Sequence, residues 1–432
     1  MEGTFAEAPS PGVARRGRGD TETRGRRDAS SLHHQEMQLS PAMSGFRART
    51  MNKRLLLLAL GLPFASAPAQ QTAPPAVNRS LRQFEVMDVD KDGKLSRTEL
   101  PERFREGFAR ADTNNDGSIS KEEHLAVVNR SQQQAKKGAQ TRPLPPGVEA
   151  LRDLPYAETD NPRQKLDLFL PKSRKGDQPL PVIVFIHGGG WRGGDKNGGI
   201  GNVGRFVESG EYAGASIGYR LTDEAQWPAQ IHDCKAAIRW IKAHAKEYNL
   251  DASKIGVWGT SAGGHLVSFL GTSGDVKELE GTLGKHLDQN SSVTCVMNFF
   301  GPENFLSMVR QPSTVDRTKG GDYPEALLLG GPVPEKEAAA KEASPVTHVS
   351  KGDAAFFTAH GTKDPLVPFA QAQEIHAALQ KAGVPSLLQE MTNGGHGFRS
   401  PILDERVKQF FDLHLRGIAA EIVPTPIVVE GK

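Results

Sequence analysis

Five short apolar runs, separated by longer stretches with helical periodicity, restrict the fold of this chain more than any other feature. They lie at residues 182–186, 255–258, 293–300, 355–359 and 387–391. Each run is continuous rather than alternating, as strands are when a sheet buries both of their faces. Strands of this kind, connected by helices, predict a mostly parallel sheet covered on both sides. The sequence therefore predicts an α/β domain.

The segments between the runs have the spacing of amphipathic helices. Apolar side chains recur at intervals of three and four at Ile231, Cys234, Ile238, Ile241 and Ala245. This spacing places them on one face of a helix. Residues 370–381 and 404–415 are also predicted to be helical.

A serine follows the second of these strands directly. The sequence Gly259-Thr-Ser261-Ala-Gly263-Gly matches the G-x-S-x-G pattern, and helical residues follow at once. In this pattern a tight turn between strand and helix holds the serine in a strained, exposed position. Glycines are needed because side chains would collide with the neighbouring strand and helix. Ser261 is the predicted nucleophile.

A glycine-rich loop follows the first strand, with the sequence His187-Gly-Gly-Gly-Trp191. The backbone N–H groups of Gly189 and Gly190, with that of Ala262, would bind the oxyanion of a tetrahedral intermediate. A phosphate-binding loop is the rival interpretation. The segment lacks both the GK[ST] ending and the G-x-G-x-x-G helix start, which argues against it.

An acid and a histidine complete the set in the chain order Ser, acid, His. Asp364 follows the strand at 355–359, and His396 follows the strand at 387–391 between glycines. His396 would accept the Ser261 proton, and Asp364 would orient the imidazole. We interpret His187 as orienting the glycine loop. The remaining histidines considered are assigned to packing or to the surface: His232, His265, His348 and His360.

Together these motifs carry a family resemblance. HGGGW, GTSAGG, HGTKD and GGHGF, in this order, resemble the α/β-hydrolase esterases of the hormone-sensitive-lipase type, and more closely the secreted carboxylesterases that include acetylxylan and feruloyl esterases. The stretch from Arg163 to Pro171 is similar to the opening hairpin of that branch. The resemblance implies a catalytic triad of Ser261, Asp364 and His396, with Gly189, Gly190 and Ala262 as oxyanion donors. It covers roughly residues 149–418.

Two acidic twelve-residue segments, 24 residues apart, precede this domain. Both match the EF-hand calcium loop, with glycine at position 6 and glutamate at position 12. Position 8, where paired loops are joined by a short strand, is Leu95 in one loop and Ile119 in the other. The predicted calcium-binding residues are Asp88, Asp90, Asp92, Lys94, Ser96, Glu99, Asp112, Asn114, Asp116, Ser118, Ser120 and Glu123. A solvated acidic loop would explain one match, but two complete matches favour calcium in a constitutive structural role.

Composition and processing signals divide the rest of the chain. Residues 1–50 are rich in Arg, Pro, Gly and Ser, which predicts disorder. Residues 51–69 have the charged start, apolar run and small residues of a signal peptide. We therefore predict that translation begins at Met51 and that the protein is exported to the periplasm or beyond. The predicted domains are the EF-hand pair at 80–130, a linker at 131–148, the esterase domain at 149–418 and a tail at 419–432.

Charge and cysteine content exclude other classes of protein. The chain has 53 Lys and Arg against 51 Asp and Glu, so it lacks the basic surface of a nucleic-acid-binding protein. Its 2 cysteines exclude a disulfide-rich scaffold and a thiolate zinc cluster. In an exported protein Cys234 and Cys295 are predicted to form a disulfide, with two separate buried thiols as the alternative.

The sequence therefore predicts a secreted serine carboxylesterase that acts on small acyl esters, such as acetyl or feruloyl groups of polysaccharides. Two alternatives stay open at this stage. One is a serine peptidase of the prolyl-oligopeptidase type, which has the same fold and triad order but carries a large propeller before the hydrolase domain. The other is a calcium-dependent binding protein with an inactive hydrolase domain.

Overall fold

A computed structural model provides the coordinates, and it describes residues 81, 84–85, 87–100, 108–127, 143–318 and 320–430. The predictions for residues 1–50 and 51–69 lie outside the described residues, as does most of the predicted linker at 131–148. Within the described residues, no helix combines the length and the apolar character that a membrane span requires.

The two acidic loops form a small unit of their own. Strands β1 (Lys94–Ser96) and β2 (Ser118–Ser120) pair antiparallel, with Leu95 opposite Ile119. Helical residues lie at Phe108–Ala111 and at 121–127. The buried side chains of this unit are Phe84, Met87, Leu95, Leu100 and Ile119. The predicted pairing of the two loops through position 8 is confirmed.

The remaining strands form one nine-stranded sheet, in the order β11-β10-β9-β8-β7-β5-β6-β4-β3. Strands β3 and β4 pair antiparallel at one edge, and β5 to β11 are parallel. The bounds are β3 Val148–Pro155, β4 Lys165–Pro171, β5 Leu180–Ile186, β6 Ala213–Ile217, β7 Leu250–Thr260, β8 Cys295–Phe299, β9 Ala355–Gly361, β10 Ser386–Thr392 and β11 Ile427–Val428. This architecture confirms the predicted α/β-hydrolase fold.

Helices cover both faces of the sheet. They are α1 Ile200–Glu208, α2 Ala229–Ala243, α3 Ala262–Thr272, α4 Phe305–Met308, α5 Pro324–Leu329, α6 Glu337–Glu342, α7 Ala370–Ala382 and α8 Pro401–Phe411. Two separate apolar clusters result. One contains buried residues of α2, α3 and α7, and the other contains buried residues of α1 and α8. The sheet separates these two cores.

Several elements were not predicted from the sequence, among them one strand of the sheet, one helix and the strand in the tail. Strand β6 has the sequence Ala-Gly-Ala-Ser-Ile, which lacks the bulky residues that mark its neighbours. Small side chains are required there, because a Cβ on Gly214 would lie 2.7 Å from Val203 of α1. Helix α1 was not anticipated, and β11 forms inside the predicted tail by pairing with β10. A two-residue strand has no detectable periodicity.

The predicted disulfide between Cys234 and Cys295 is wrong. Both thiols are free and buried. Cys234 lies on α2 in the first core, whereas Cys295 lies on β8 and contributes its side chain to the second. The sheet therefore stands between them. Burial raises the pKa of both thiols above the ordinary value, which disfavours the reactive thiolate.

Candidate active site

The predicted catalytic residues lie at one edge of the sheet. Ser261 follows β7, Asp364 follows β9 and His396 follows β10, while the glycine loop 187–190 follows β5. All four strands are parallel. Their carboxyl ends therefore meet at the same edge, which is where open α/β sheets bind ligands. Residues separated by as many as 135 positions, as Ser261 and His396 are, become neighbours there.

Ser261 occupies a strained turn. Its backbone has φ 53° and ψ −122°, a region that L-residues with side chains seldom adopt. The flanking glycines permit the turn. A Cβ on Gly259 would lie 2.1 Å from the carbonyl oxygen of Gly263, and a Cβ on Gly263 would lie 2.1 Å from that of Ile186. The turn presents the Ser261 hydroxyl above the start of α3.

A continuous chain of hydrogen bonds joins the three side chains. Nε2 of His396 lies 2.9 Å from Oγ of Ser261, and Nδ1 of His396 lies 2.7 Å from Oδ2 of Asp364. With a proton on Nδ1, Nε2 can accept the serine proton, which is the tautomer that nucleophilic catalysis needs. The ring of Phe300 packs against His396 at 4.7 Å between centroids and restricts its orientation.

The carboxyl group of Asp364 is almost fully buried yet well supplied with donors. Its Oδ1 accepts hydrogen bonds from the backbone N–H groups of Leu366 and Val367, at 2.9 and 3.0 Å. Burial disfavours the charged form, but hydrogen bonds from His360, His396 and the N–H of Val367 outweigh it and hold the pKa of Asp364 below its usual range. Asp364 is therefore ionised at neutral pH and can stabilise an imidazolium.

His360 is a functional residue that sequence reasoning missed. It was assigned to packing or to the surface, but the structure places its Nε2 3.4 Å from Oδ2 of Asp364. The same nitrogen donates a hydrogen bond to the carbonyl of Val367 at 2.8 Å. His360 is thus a second histidine on the acid. The four-residue interval between His360 and Asp364 was the available signal.

The glycine loop lies directly against the serine. A Cβ on Gly188 would be 3.3 Å from the Cβ of Ser261 and 2.6 Å from the carbonyl oxygen of Thr260. The next residues turn sharply, with φ 116° at Gly189 and 59° at Gly190. Within residues 143–318 and 320–430, the backbone N–H groups of Gly189, Gly190 and Ala262 donate to no protein acceptor. They are available to an oxyanion beside Ser261.

His187 holds this loop from below. Its Nδ1 donates to the carbonyl of Gly188 at 2.8 Å, and its ring stacks on Tyr219 at 4.3 Å. Burial lowers the pKa of His187 to about 4, so the ring is neutral at physiological pH. Tyr219 in turn donates its hydroxyl to the carbonyl of His187. This geometry agrees with the predicted orienting role.

The aromatic residues that flank the motifs divide between core and site. Trp191 is buried, and its ring contacts His265 and Phe305, so it belongs to the core. Phe398 is only partly buried and packs against Phe299 and Phe300 beside His396. Of the two, Phe398 is the one that borders the catalytic histidine.

The first acidic loop is folded around one point. Carboxylate oxygens of Asp88, Asp90 and Glu99 come within 4.8 Å of one another. Oδ2 of Asp88 accepts the N–H of Gly93 at 3.0 Å, whereas the buried Oδ1 has no partner within the described residues. Gly93 adopts φ 82°, which turns the loop. An orphaned carboxylate oxygen among other hard oxygens fits a calcium ion.

The second loop has the same turn but satisfies its first carboxylate fully. Both oxygens of Asp112 accept backbone N–H groups, from Asp116 and Gly117. The N–H of Ser120 and the hydroxyl of Thr113 are the main causes that lower the pKa of Glu123 to about 2, so this carboxylate is charged at all physiological pH values. Of the predicted ligand residues, the structure thus brings the carboxylates of Asp88, Asp90 and Glu99 together, and it folds 112–123 into a turn closed by hydrogen bonds to Asp112 and Glu123.

Comparisons with known proteins agree with both parts of the chain. The model of the BD-FAE family matches residues 166–379, and the EF hand model matches residues 81–103 and 104–123. Among curated proteins, Esterase LipC of Mycobacterium tuberculosis (strain ATCC 25618 / H37Rv) is 30% identical over 264 residues. That match covers 59% of this chain and 63% of LipC, so the chain spans less than two thirds of this relative.

Two solved structures also resemble this chain. A truncated form of carbohydrate esterase from gut microbiota is 31% identical, with a TM-score of 0.57, and the match covers 62% of this chain and 96% of that one. A bifunctional GH43-CE protein of Bacteroides eggerthii is 33% identical with the same TM-score of 0.57, over 62% of this chain and 35% of that one.

Proposed function

The chain belongs to the BD-FAE family of α/β-hydrolase esterases, and from this premise we propose that it is a serine carboxylesterase that releases small acyl groups from carbohydrate. The single observation that carries the proposal is the hydrogen-bonded series Ser261, His396, Asp364, beside backbone N–H groups that donate to no acceptor among the described residues. A nucleophile, its base, the orienter of the base and an oxyanion site are the parts that acyl transfer needs.

The reaction follows from this arrangement. Oγ of Ser261 attacks the ester carbonyl while Nε2 of His396 accepts its proton, and Asp364 stabilises the resulting imidazolium. The N–H groups of Gly189, Gly190 and Ala262 would bind the carbonyl oxygen as it becomes negative. His396 then protonates the departing alcohol, leaving an acyl group on Ser261. A water molecule, deprotonated by His396, hydrolyses this acyl-enzyme.

The carbohydrate part of the proposal is supported by relatives rather than by contacts. Two structures with at least 31% identity are described as a carbohydrate esterase and as a GH43-CE protein. The resemblance to acetylxylan and feruloyl esterases points the same way. Acetyl or feruloyl esters of a plant polysaccharide are therefore the substrates to test.

The test is hydrolysis of p-nitrophenyl acetate by residues 70–432 beside the Ser261→Ala variant. We expect turnover by the native protein and a loss of about 10⁴-fold or more in the variant, because without Oγ no acyl-enzyme forms. Acetylated xylan, methyl ferulate and longer acyl esters then establish the acyl and alcohol preference. Equal background rates in both proteins would contradict the esterase proposal.

Two further measurements, with a peptide amide and with a fluorophosphonate, separate the two alternatives. A prolyl-oligopeptidase-type peptidase would cleave a peptide amide in a Ser261-dependent way and prefer it to esters. A calcium-dependent binding protein with an inactive hydrolase domain would leave Ser261 unlabelled by a fluorophosphonate. Labelling that requires His396, together with ester turnover, favours the esterase over both.

We further propose that the EF-hand pair binds about two calcium ions in a structural rather than a catalytic role. The orphaned Oδ1 of Asp88 and the two oxygen-rich turns support this proposal. A calcium ion supplies the positive charge that offsets the repulsion between carboxylates that lie close together. Titration calorimetry of the protein in millimolar calcium tests it; no heat above that of dilution would refute binding.

Export is the remaining part of the proposal, and it depends on the signal-peptide pattern at 51–69. Amino-terminal sequencing of the protein recovered outside the cytoplasm tests it. We expect a mature chain that begins close to residue 70. A mature chain that retains residues before Met51 would contradict it.

A further inference from the structure

The turn that carries Asp364 is gripped by side chains from a distant segment of the domain. Ser313, Thr314 and Arg317 lie between β8 and β9, and all three contact residues 365–366. Such contacts do not belong to the triad itself. They are made to the two residues that follow Asp364.

The contacts satisfy the outward-facing carbonyls of the turn. The carbonyl of Pro365 accepts the N–H of Thr314 at 2.8 Å and its hydroxyl at 2.8 Å. The carbonyl of Leu366 accepts Nη2 of Arg317 at 2.9 Å, and the hydroxyl of Ser313 lies 3.0 Å from both carbonyls. The carbonyls of these two peptide units point towards Ser313, Thr314 and Arg317. The N–H groups of the same units, on Leu366 and Val367, therefore point towards Oδ1 of Asp364.

Arg317 is also tied to a second loop of the site. Its side chain is 3% exposed and forms a buried ion pair with Glu325, with Nη2 at 3.2 Å from Oε1 and Nε at 3.1 Å from Oε2. Glu325 lies at the start of α5, directly after Pro324. A Cβ on Gly190 would be 3.3 Å from two carbons of Pro324. One ion pair therefore connects the acid turn with the helix that abuts the oxyanion loop.

We propose that Arg317, held by Glu325, is a positioning residue that sets the acid turn relative to the oxyanion loop and so fixes the catalytic geometry. This inference rests on the proposed esterase mechanism. A planar guanidinium suits the task, because it donates in several fixed directions at once, to Glu325, Leu366 and Ser313. A misplacement of about 1 Å in such a site can cost on the order of 100-fold in rate.

The central variant is Arg317→Met, which keeps an unbranched apolar stem and removes every donor. We expect kcat to fall about 10- to 100-fold with a much smaller change in KM, because substrate contacts survive while Asp364 moves. Arg317→Lys keeps the charge and a donor but not the fork, and should recover part of kcat. Ser313→Ala removes only one hydroxyl that contacts the acid turn, so it should lower kcat less.

A double variant separates positioning from stability. Arg317→Met alone leaves the Glu325 carboxylate buried without a partner, which is strongly destabilising. Arg317→Met with Glu325→Met removes both charges and should restore much of the melting temperature. If Arg317 positions the acid turn, kcat stays low in the double variant although the fold has recovered. Recovery of kcat together with the melting temperature would overturn the inference.

Arg239→Met is the matched control. Arg239 is also buried, forms an ion pair with the partly exposed Glu280 at 3.0 Å, and donates to backbone carbonyls, but these are at Glu280 and Leu283 rather than in the acid turn. We expect a lower melting temperature with kcat unchanged at 25 °C. Equal losses of kcat in Arg239→Met and Arg317→Met would show a general effect of destabilisation and would overturn the inference.

One readout does not depend on turnover. The proton between Nδ1 of His396 and Asp364 should give a strongly deshielded proton NMR signal, which the positioning role predicts to be shifted or broadened in Arg317→Met and unchanged in Arg239→Met. An unchanged signal in Arg317→Met overturns the inference. Absent turnover by the native protein alongside a perturbed signal would overturn the esterase proposal and leave the positioning role supported.

Discussion

The EF-hand loops and the catalytic site both place several polar groups around one point, but they do so in opposite ways. Each loop takes its groups from twelve consecutive residues, as between Asp88 and Glu99. The catalytic site takes its groups from four strand ends, between Gly188 and His396. The local turn therefore fixes the geometry of a loop, whereas the arrangement of the strands in the sheet fixes the geometry of the site.

This difference decides what a change in sequence does. In a loop, one altered residue removes one ligand from a local turn. In the catalytic site the three side chains act in series. Ser261 needs His396 as its base, and His396 needs Asp364 to orient its ring. Losses in the site should thus be large and non-additive, and losses in the loops should be moderate and local.

Asp364→Asn makes the sharpest test of the dependent series, and its expected effect is the largest. An amide donates to Nδ1 of His396 and so favours the wrong tautomer, and we expect kcat to fall by about 10⁴-fold. Calcium titration of the same variant should match the native protein. A fall in kcat below tenfold would show that the acid is not part of the series.

Gly189→Ala tests whether the glycine loop depends on its backbone shape. Gly189 has φ 116°, and a Cβ there would lie 2.3 Å from the carbonyl oxygen of Gly193. The loop must shift, so the oxyanion donors move and kcat should fall about 100-fold. Gly193→Ala is the matched control, since its Cβ would meet only one atom, at 3.8 Å. Equal activity of the two variants would contradict the assignment of the oxyanion site.

Glu99→Gln and Glu123→Gln test whether each EF-hand loop binds calcium through its own residues, as proposed. Loss of the bidentate carboxylate at position 12 should weaken calcium binding at that loop on the order of tenfold or more. The stabilisation that calcium confers on the melting temperature should shrink accordingly. Glu122→Gln, an exposed neighbour, is the control. A loss of esterase activity in calcium-free buffer beyond that of the native protein would contradict a purely structural role.

Glu303→Gln tests a buried group that supports the nucleophile helix. Glu303 accepts from Ser268 at 3.0 Å and Asn298 at 2.7 Å, and burial, which outweighs these bonds, raises its pKa well above the usual value. The stability from the bound proton is complete below the unfolded pKa and is lost as pH rises through the raised native pKa. Glutamine mimics the protonated form.

Urea unfolding of Glu303→Gln and the native protein at several pH values should therefore show equal stability near pH 4. At pH 8 the variant should be more stable, by on the order of 1–3 kcal/mol. Glu405→Gln, at an exposed position, should show no such pH-dependent difference in stability. A variant that is less stable than the native protein at pH 8 would contradict a protonated Glu303.

The same contrast explains which parts of the molecule could be predicted from sequence. The EF-hand loops, the serine turn and the glycine loop are short segments in which residues that are close in sequence are also close in space. The sheet's central strands were also predictable, because burial on both faces leaves continuous apolar runs such as 182–186. Strand β6 escaped because its close contact with α1 demands glycine and alanine, which carry no strand signal.

Contacts between distant segments were not predictable from patterns. The motifs identified Asp364 but not the residues that grip its turn, because Arg317 lies 47 positions earlier and nothing local marks it. His360 was misjudged for a related reason. Its Nε2 reaches Val367 and Asp364 only because the turn folds back on the end of β9. Residues of this kind can be identified only once the register of the strands is known from a structure.

The prediction for the cysteine pair has the smallest expected effect on stability. The pair also shows plainly that contacts between distant segments do not follow from sequence patterns. A disulfide that closes about 60 residues would contribute about 4 kcal/mol, so reduction should lower the melting temperature by several degrees if it existed. Because Cys234 and Cys295 lie in different cores as free thiols, we expect reductant to leave the melting temperature unchanged. Ellman's reagent should find two thiols after unfolding and react slowly before it, since both are buried. A mass increase of two protons on reduction would instead show that the two sides of the sheet are bridged.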